Sequence, residues 1–305
     1  MLTAALNAYL TARRAVGFRL RGVEGILRDF VAFASAQGDD RVRRETVFAW
    51  VRSRGTGPER SYQRLLTVIR FARYLHAEDE RHEIPPEDVI GRHTPRRKPP
   101  FLFGPGDVEA LVRSARSLRS PGSLQPEVYA TLFGLLAATG LRISEALDLR
   151  IEDITPDGLV VQNAKFGKSR LLPLHATTRA QLDRYLGRRL QEAGGCPFLF
   201  VSVKGRQLHQ NTARGAFPRV VFRLGISSPQ GRTRPRLHDL RFYFANQALT
   251  RSPGDHDGIS RHMVALATYL GHNDARNGYW YLEATPALFA NVAARCEEFA
   301  RGGAR

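Results

Sequence analysis

Cysteine is almost missing from this 305-residue chain, where Cys196 and Cys296 are the only two. Two isolated thiols exclude a disulfide-stapled framework and a cysteine-rich zinc site, and both are expected as buried side chains. Long apolar runs are missing as well. No segment approaches the roughly 20 apolar residues of a membrane-spanning helix, and Met1–Ala5 starts no basic stretch followed by an apolar core. A soluble, cytoplasmic protein is expected. Acidic residues are in deficit, 29 against 46 Lys and Arg, for a formal charge of +17. That excess favours a polyanionic partner, nucleic acid first among them. Lysine is scarce even among the bases, with only Lys98, Lys165, Lys168 and Lys204, so the close pair Lys165 and Lys168 stands out.

The length suits about two domains, each with its own core. Over residues 1–91, Ile26, Phe30, Phe33 and Ala34, then Leu65, Ile69 and Ala72, recur at helical spacing and predict a small helical bundle. On the later helix Arg60, Gln63, Arg64, Thr67 and Arg70 fall on one side when counted at about 100° per residue. Such a face could follow a phosphate backbone or be an ordinary solvated surface. From 92 to 100 periodicity stops, and Arg96, Arg97 and Lys98 lie between prolines in a basic linker. Extended, it would reach on the order of 30 Å at about 3.1 Å per residue, enough for two domains to sit on opposite sides of a duplex.

The region 101–305 starts with helices predicted over 128–138 and 143–149, separated by Thr139-Gly140, a glycine suited to a left-handed helix end. Short strand-like runs follow at Arg150-Ile151, Gly158–Val161 and Leu171–Leu174, predicting a three-stranded antiparallel sheet. Further helices are predicted at 176–192, 209–223, 237–250, 260–270 and 285–300. The expected fold class is mainly α with a small antiparallel β-sheet. In the last helix Leu288, Val292, Cys296 and Phe299 form an apolar stripe that could pack on its own domain or on another copy.

Several short patterns carry chemistry. Arg142 follows Gly140 at a helix start, where free backbone N–H groups favour an anion, and Glu145 could orient its guanidinium; a plain Arg–Glu ion pair is the alternative. Lys165-Phe166-Gly167-Lys168-Ser169-Arg170 joins two predicted strands. A lysine on such a hairpin could protonate a leaving oxygen, or the loop could simply be a solvated cationic tip. His238 and Arg241, three apart, share one helix face and could both donate to one phosphate. The segment from Arg251 to Asp257 reads as loop. Finally, His272 in Tyr269-Leu270-Gly271-His272 precedes Tyr281 by nine residues, with Tyr279 two positions before it. A phenol attacking phosphorus has to be activated by such neighbours, because its own pKa is near 10.

In this order, Ala-Thr-Gly-Leu-Arg142, a hairpin Lys165, His238-x-x-Arg241, Leu-Gly-His272 and Tyr281 resemble the tyrosine recombinase (phage integrase) superfamily. The likeness spans residues 101–305; the N-terminal part fits the family's core-binding domain by layout alone. The resemblance implies site-specific cutting and rejoining of double-stranded DNA. Arg142 and Arg241 would clamp the scissile phosphate, Lys165 would be the general acid, and His238 would handle the proton of the attacking phenol. His272 would hydrogen-bond the phosphate and Tyr281 would form a 3′-phosphotyrosine. It implies no metal and no other cofactor, and a homotetramer in the synapse with the C-terminal helix able to dock on a neighbour. Apart from the motif, further DNA contacts are expected from the basic residues Arg60, Arg64, Arg70, Arg96, Arg97, Lys98, Lys168 and Arg170. The Tyr-Trp-Tyr-Leu and Thr-Pro-Ala-Leu stretch is similar to recombinases of transposons and other mobile elements. Two other classes remain open, a type IB topoisomerase that relaxes supercoils and a catalytically silent DNA-binding module.

Overall fold

A computed structural model describes residues 2–18, 20–55, 57–89, 91, 99–118, 122–162, 169–226, 234–250 and 256–271. The chain divides into two compact units, Met1–Arg97 and Lys98–Arg305.

The first unit is a helical bundle of α1 (Leu2–Ala15), α2 (Arg21–Ala36), α3 (Arg44–Ser53) and α4 (Pro58–His76). The apolar stripes read from the sequence supply its core. Phe30, Ala34, Leu65, Ile69 and Ala72 are buried, together with Trp50, which stacks edge-on against Phe30. Asp29 joins α2 to the end of α3 by accepting Trp50 Nε1 at 3.0 Å and a two-pronged bond from Arg54. On α4, Arg60 and Arg70 are exposed and Arg64 is half-buried. Thr67, expected on the same cationic side, is buried, its hydroxyl donating to the Gln63 carbonyl at 2.8 Å. The reason is the width of the packed face of α4, which also takes in Ser61, Val68 and Phe71.

The second unit is built around α6 (Gln125–Thr139), a helix with apolar residues on all sides and ten buried positions. A helix of that kind needs cover all round. The cover comes from α5 (Pro105–Arg116), α8 (Ala176–Glu192) and α10 (Leu237–Thr250), while α9 (Gln210–Arg223) adds Phe217 edge-on against Phe133. Between α6 and α8 lie the short α7 (Ile143–Asp148) and the strands β1 (Ile154–Thr155), β2 (Gly158–Val161) and β3 (Arg170–Leu172). They form an antiparallel sheet in the order β1-β2-β3. Register sets Leu159 opposite Leu172 and Val161 opposite Arg170. Leu159, Val161 and Leu172 are buried while Leu171 is exposed, so by strand alternation Arg170 belongs to the inward face.

The strand expected at Arg150-Ile151 is a correction. Arg150 makes only an isolated bridge to Phe198, and Ile151–Asp153 is a 3-10 turn. Asp153 explains it, because its carboxylate accepts the Arg150 backbone N–H at 2.8 Å and winds the chain. The same device, an acid three residues after the cap, starts α7 through Glu145 and α10 through Asp239. α11 (His256–Leu270) begins earlier than the predicted 260 and takes in part of the stretch read as loop. Among the described residues no helix is long and apolar enough to cross a membrane. Cys196 is half-buried with a free thiol.

Candidate active site

Gly140 sets the geometry. It closes α6 at φ 62°, a left-handed conformation that suits glycine because no Cβ is present to clash. A Cβ there would lie 2.6 Å from Phe244 Cδ1 on α10 and 2.8 Å from Leu270 Cδ2 on α11. The absent side chain is therefore what lets the three helices meet. α10 brings Arg241 to that junction, where Nη1 donates to the Gly140 carbonyl at 2.6 Å and Nη2 to the Leu270 carbonyl at 2.8 Å. Helix ends leave such carbonyls without intrahelical partners, which is how a guanidinium is accommodated in a residue only 2 % exposed.

Arg142 reaches the same end of α11. Its Nη1 lies 3.5 Å from the Leu270 carbonyl and its Nη2 donates to the Gly271 carbonyl at 3.2 Å. Two guanidinium groups distant in sequence thus converge on the residues immediately before His272. Arg142 keeps 34 % of its side chain exposed, so it retains a face toward solvent that Arg241 lacks.

Glu145 organises the cluster. Its Oε2 accepts the Arg142 backbone N–H at 3.0 Å and its Oε1 accepts Arg142 Nη1 at 2.8 Å. Arg170 grips the same carboxylate, Nη2 to Oε2 at 2.9 Å and Nη1 to Oε1 at 3.3 Å. Burial alone would raise the Glu145 pKa, but the donors from Arg170 and Arg142 outweigh it and hold the carboxyl below its ordinary range. Of the two readings of this helix start, the Arg142–Glu145 ion pair is present: α7 has six residues, and Glu145 in its first turn accepts both the backbone N–H and the guanidinium of Arg142.

His238 stands one turn before Arg241 on α10, its side chain accessible from solvent although protein surrounds it closely. Loss of hydration lowers its pKa, and Arg241, Arg236 and Arg142 lower it further against the opposing pull of Asp239. The imidazole is therefore neutral at pH 7 and able to accept a proton. Asp239 is itself turned to Arg236, accepting its backbone N–H at 2.7 Å and its guanidinium at 3.1 Å.

Arg142, His238 and Arg241 are thus brought together, with Glu145 beneath. Arg170, read from the sequence as a DNA contact, is instead committed to Glu145 and to the Tyr269 carbonyl at 2.9 Å. The signal that could have found it is strand parity, since Arg170 and Leu172 share a face. Lys165, Lys168, His272, Tyr279, Tyr281, the helix at 285–300 and Arg96, Arg97 and Lys98 lie outside the described residues.

A model of the phage integrase family matches residues 105–287, a span that contains every one of these clustered side chains. The chain belongs to the phage integrase family. It is 35 % identical over 302 residues to the Sinorhizobium fredii protein named integrase/recombinase y4rB, covering 96 % of each chain. Among solved structures, the Tn1549 transposon integrase in complex with transposon right end DNA shares the fold with a TM-score of 0.64 at 16 % identity, over 98 % of this chain and 99 % of that one. A lambda integrase tetramer bound to a Holliday junction gives 0.60 at 16 % identity, over 90 % and 78 %. Membership supports, at the level of the family, a tyrosine-recombinase-like role in site-specific DNA strand exchange.

Proposed function

We propose that this integrase-family chain cuts and rejoins DNA strands at specific sites through a 3′-phosphotyrosine intermediate. The observation that carries the reading is the convergence of Arg142 and Arg241 on the Leu270 carbonyl, directly before His272. In the reaction the Tyr281 phenol oxygen attacks phosphorus and the 5′ oxygen leaves, taking a proton from Lys165. Neutral His238 receives the phenol's proton, and His272 hydrogen-bonds a non-bridging oxygen. Arg142 meets the phosphate through its solvent-facing side while Arg241 adds its charge from its buried position, and together they offset the charge that builds on the five-coordinate phosphorus, the kind of preorganised electrostatic stabilisation that usually contributes most to such a barrier. A 5′-hydroxyl from another strand then reverses the attack, so the bond energy is kept and no other energy source is consumed.

Arg60, Arg64 and Arg70 on α4, the linker bases Arg96, Arg97 and Lys98, and Lys168 hold the duplex in this reading. The substrate is double-stranded DNA in the cytoplasm, and the acting species is a tetramer in which the tail after Tyr281 can dock on a neighbour. The likeness to a transposon integrase supports a task in the movement of a mobile element.

The test is a nicked suicide duplex carrying the protein's own site, read on a denaturing gel. A covalent adduct is expected with the wild type and with Tyr279→Phe, and none with Tyr281→Phe. An adduct that survives Tyr281→Phe would overturn the nucleophile. Supercoil relaxation by isolated protomers without two-site recombination would point to a topoisomerase, and duplex binding without any adduct to a silent binding module.

A further inference from the structure

We infer that Arg170 is a positioning residue that locks Arg142 and the segment entering His272 into one rigid unit, and that it does so without touching DNA. The inference rests on the strand-exchange reading above and names a part of that site the motif does not assign.

Three acceptor oxygens meet on the one guanidinium. Its Nη1 and Nη2 take both oxygens of Glu145, and its Nε donates to the Tyr269 carbonyl at 2.9 Å. The side chain is only 14 % exposed, against 34 % for Arg142 on the opposite side of the same carboxylate. The planar fork of arginine can hold a carboxylate with two parallel N–H bonds and still offer Nε elsewhere; a lysine ammonium cannot reproduce that geometry. Gly271 completes the contact. It lies at φ 67°, and a Cβ there would come within 2.9 Å of Arg170 Nη1, so α11 ends on a glycine where the guanidinium presses closest. Because Arg170 is the first residue of β3 and pairs with Val161 of β2, the brace also anchors the two strand ends between which Lys165 falls in the sequence. The clamp arginine, these two strand ends and the approach to His272 therefore share one support.

A displacement of about 1 Å in a catalytic constellation costs on the order of 10²-fold in rate. Arg170→Lys and Arg170→Gln are accordingly expected to slow single-turnover adduct formation by on the order of 10²-fold, the lysine almost as badly as the glutamine. The dissociation constant for the duplex and its dependence on salt are expected to stay as in the wild type. A phosphate contact would behave differently, with lysine rescuing most of the loss and Arg170→Gln lowering the salt slope by about 0.9. Combined with Glu145→Gln, Arg170→Gln is expected to add little to the loss from Glu145→Gln alone, because both variants break the same brace. Should the Arg170 variants melt below the assay temperature, Gly271→Ala disturbs the brace from the other side and is expected to reduce the rate while leaving binding intact.

Lysine rescue, a lowered salt slope, additive losses or an unchanged cleavage rate would each overturn the assignment. Absence of an adduct with the wild type would instead overturn the strand-exchange reading, so the two failures are told apart by the control lane.

Discussion

Gly134 and Gly140 belong to the same stretch of chain, yet an added methyl group should act on them in opposite directions. Gly134 lies inside α6, where a Cβ would sit 3.6 Å from Val112 Cγ2, ordinary van der Waals contact. Gly134→Ala removes backbone freedom from the unfolded chain at no steric cost and should stabilise by about 0.5–1 kcal/mol. Gly140 lies at φ 62°, with Phe244 and Leu270 at 2.6 and 2.8 Å from the new Cβ. The left-handed backbone costs alanine about 1–2 kcal/mol, and pushing two packed side chains apart costs about 1–3 kcal/mol more. Gly140→Ala should therefore destabilise by about 2–5 kcal/mol. For a unit of this size that is a melting point lower by roughly 4–20 °C, while Gly134→Ala raises it by roughly 1–4 °C. Scanning calorimetry measures both shifts, and amide hydrogen exchange along α6 and α10 assigns them to the second unit. A Gly140→Ala protein melting within about 1 °C of the wild type would refute the claim that this missing side chain lets the three helices meet.

Arg142→Ala should lower single-turnover adduct formation by about 10²–10³-fold, as expected when one donor to a developing oxyanion is lost, and an unchanged rate would remove Arg142 from the clamp. His238 has a folded pKa below its unfolded value near 6.5, so its neutral form contributes stability above pH 6.5 that is lost as pH falls through the lowered pKa. Cleavage should follow with a flat rate above pH 6.5 and a decline on the acid side, a limb that His238→Gln should erase; an acid limb persisting in that variant would exonerate the imidazole. Glu145 is likewise held below its ordinary pKa, so the ion-pair cluster should hold above pH 4.5 and come apart as pH falls through the lowered value. Glu145→Gln should flatten that part of the melting-temperature profile, and an unchanged profile would assign it to other carboxylates. Arg60→Ala and Arg70→Ala should each reduce the salt slope of duplex binding by about 0.9 if they meet phosphates, and a slope equal to that of the wild type would make them ordinary solvated residues.

Much of the fold was open to inspection in the sequence because its signals are local. Apolar spacing in α2 and α4 marks which residues face the bundle core, and Gly140 announces a helix end because left-handed backbone admits few other residues. The order Arg142, Lys165, His238, Arg241, His272, Tyr281 was open in the same way, since a motif is a fact about spacing. Where the local signal was weak the reading slipped. Arg150-Ile151 looked like a strand until Asp153 captured the Arg150 N–H, and Thr67 looked exposed because counting residues around a helix says nothing of how wide its buried face is.

The sequence by itself determined which residue types are proposed for the site and in what order, because the proposed phosphate chemistry needs cationic donors, a proton partner and a nucleophile whatever the scaffold. What the tertiary structure decided is which charges are spent on the protein itself. Arg142 and Arg170 look alike in the chain, both basic residues beside a turn. Only packing makes one the partly exposed half of a pair on Glu145 and the other its buried half, since a guanidinium's role depends on which carboxylate and carbonyl groups lie within about 3 Å of it. Those groups come from α7 and the end of α11, elements far apart in sequence that meet beside the bare Cα of Gly140.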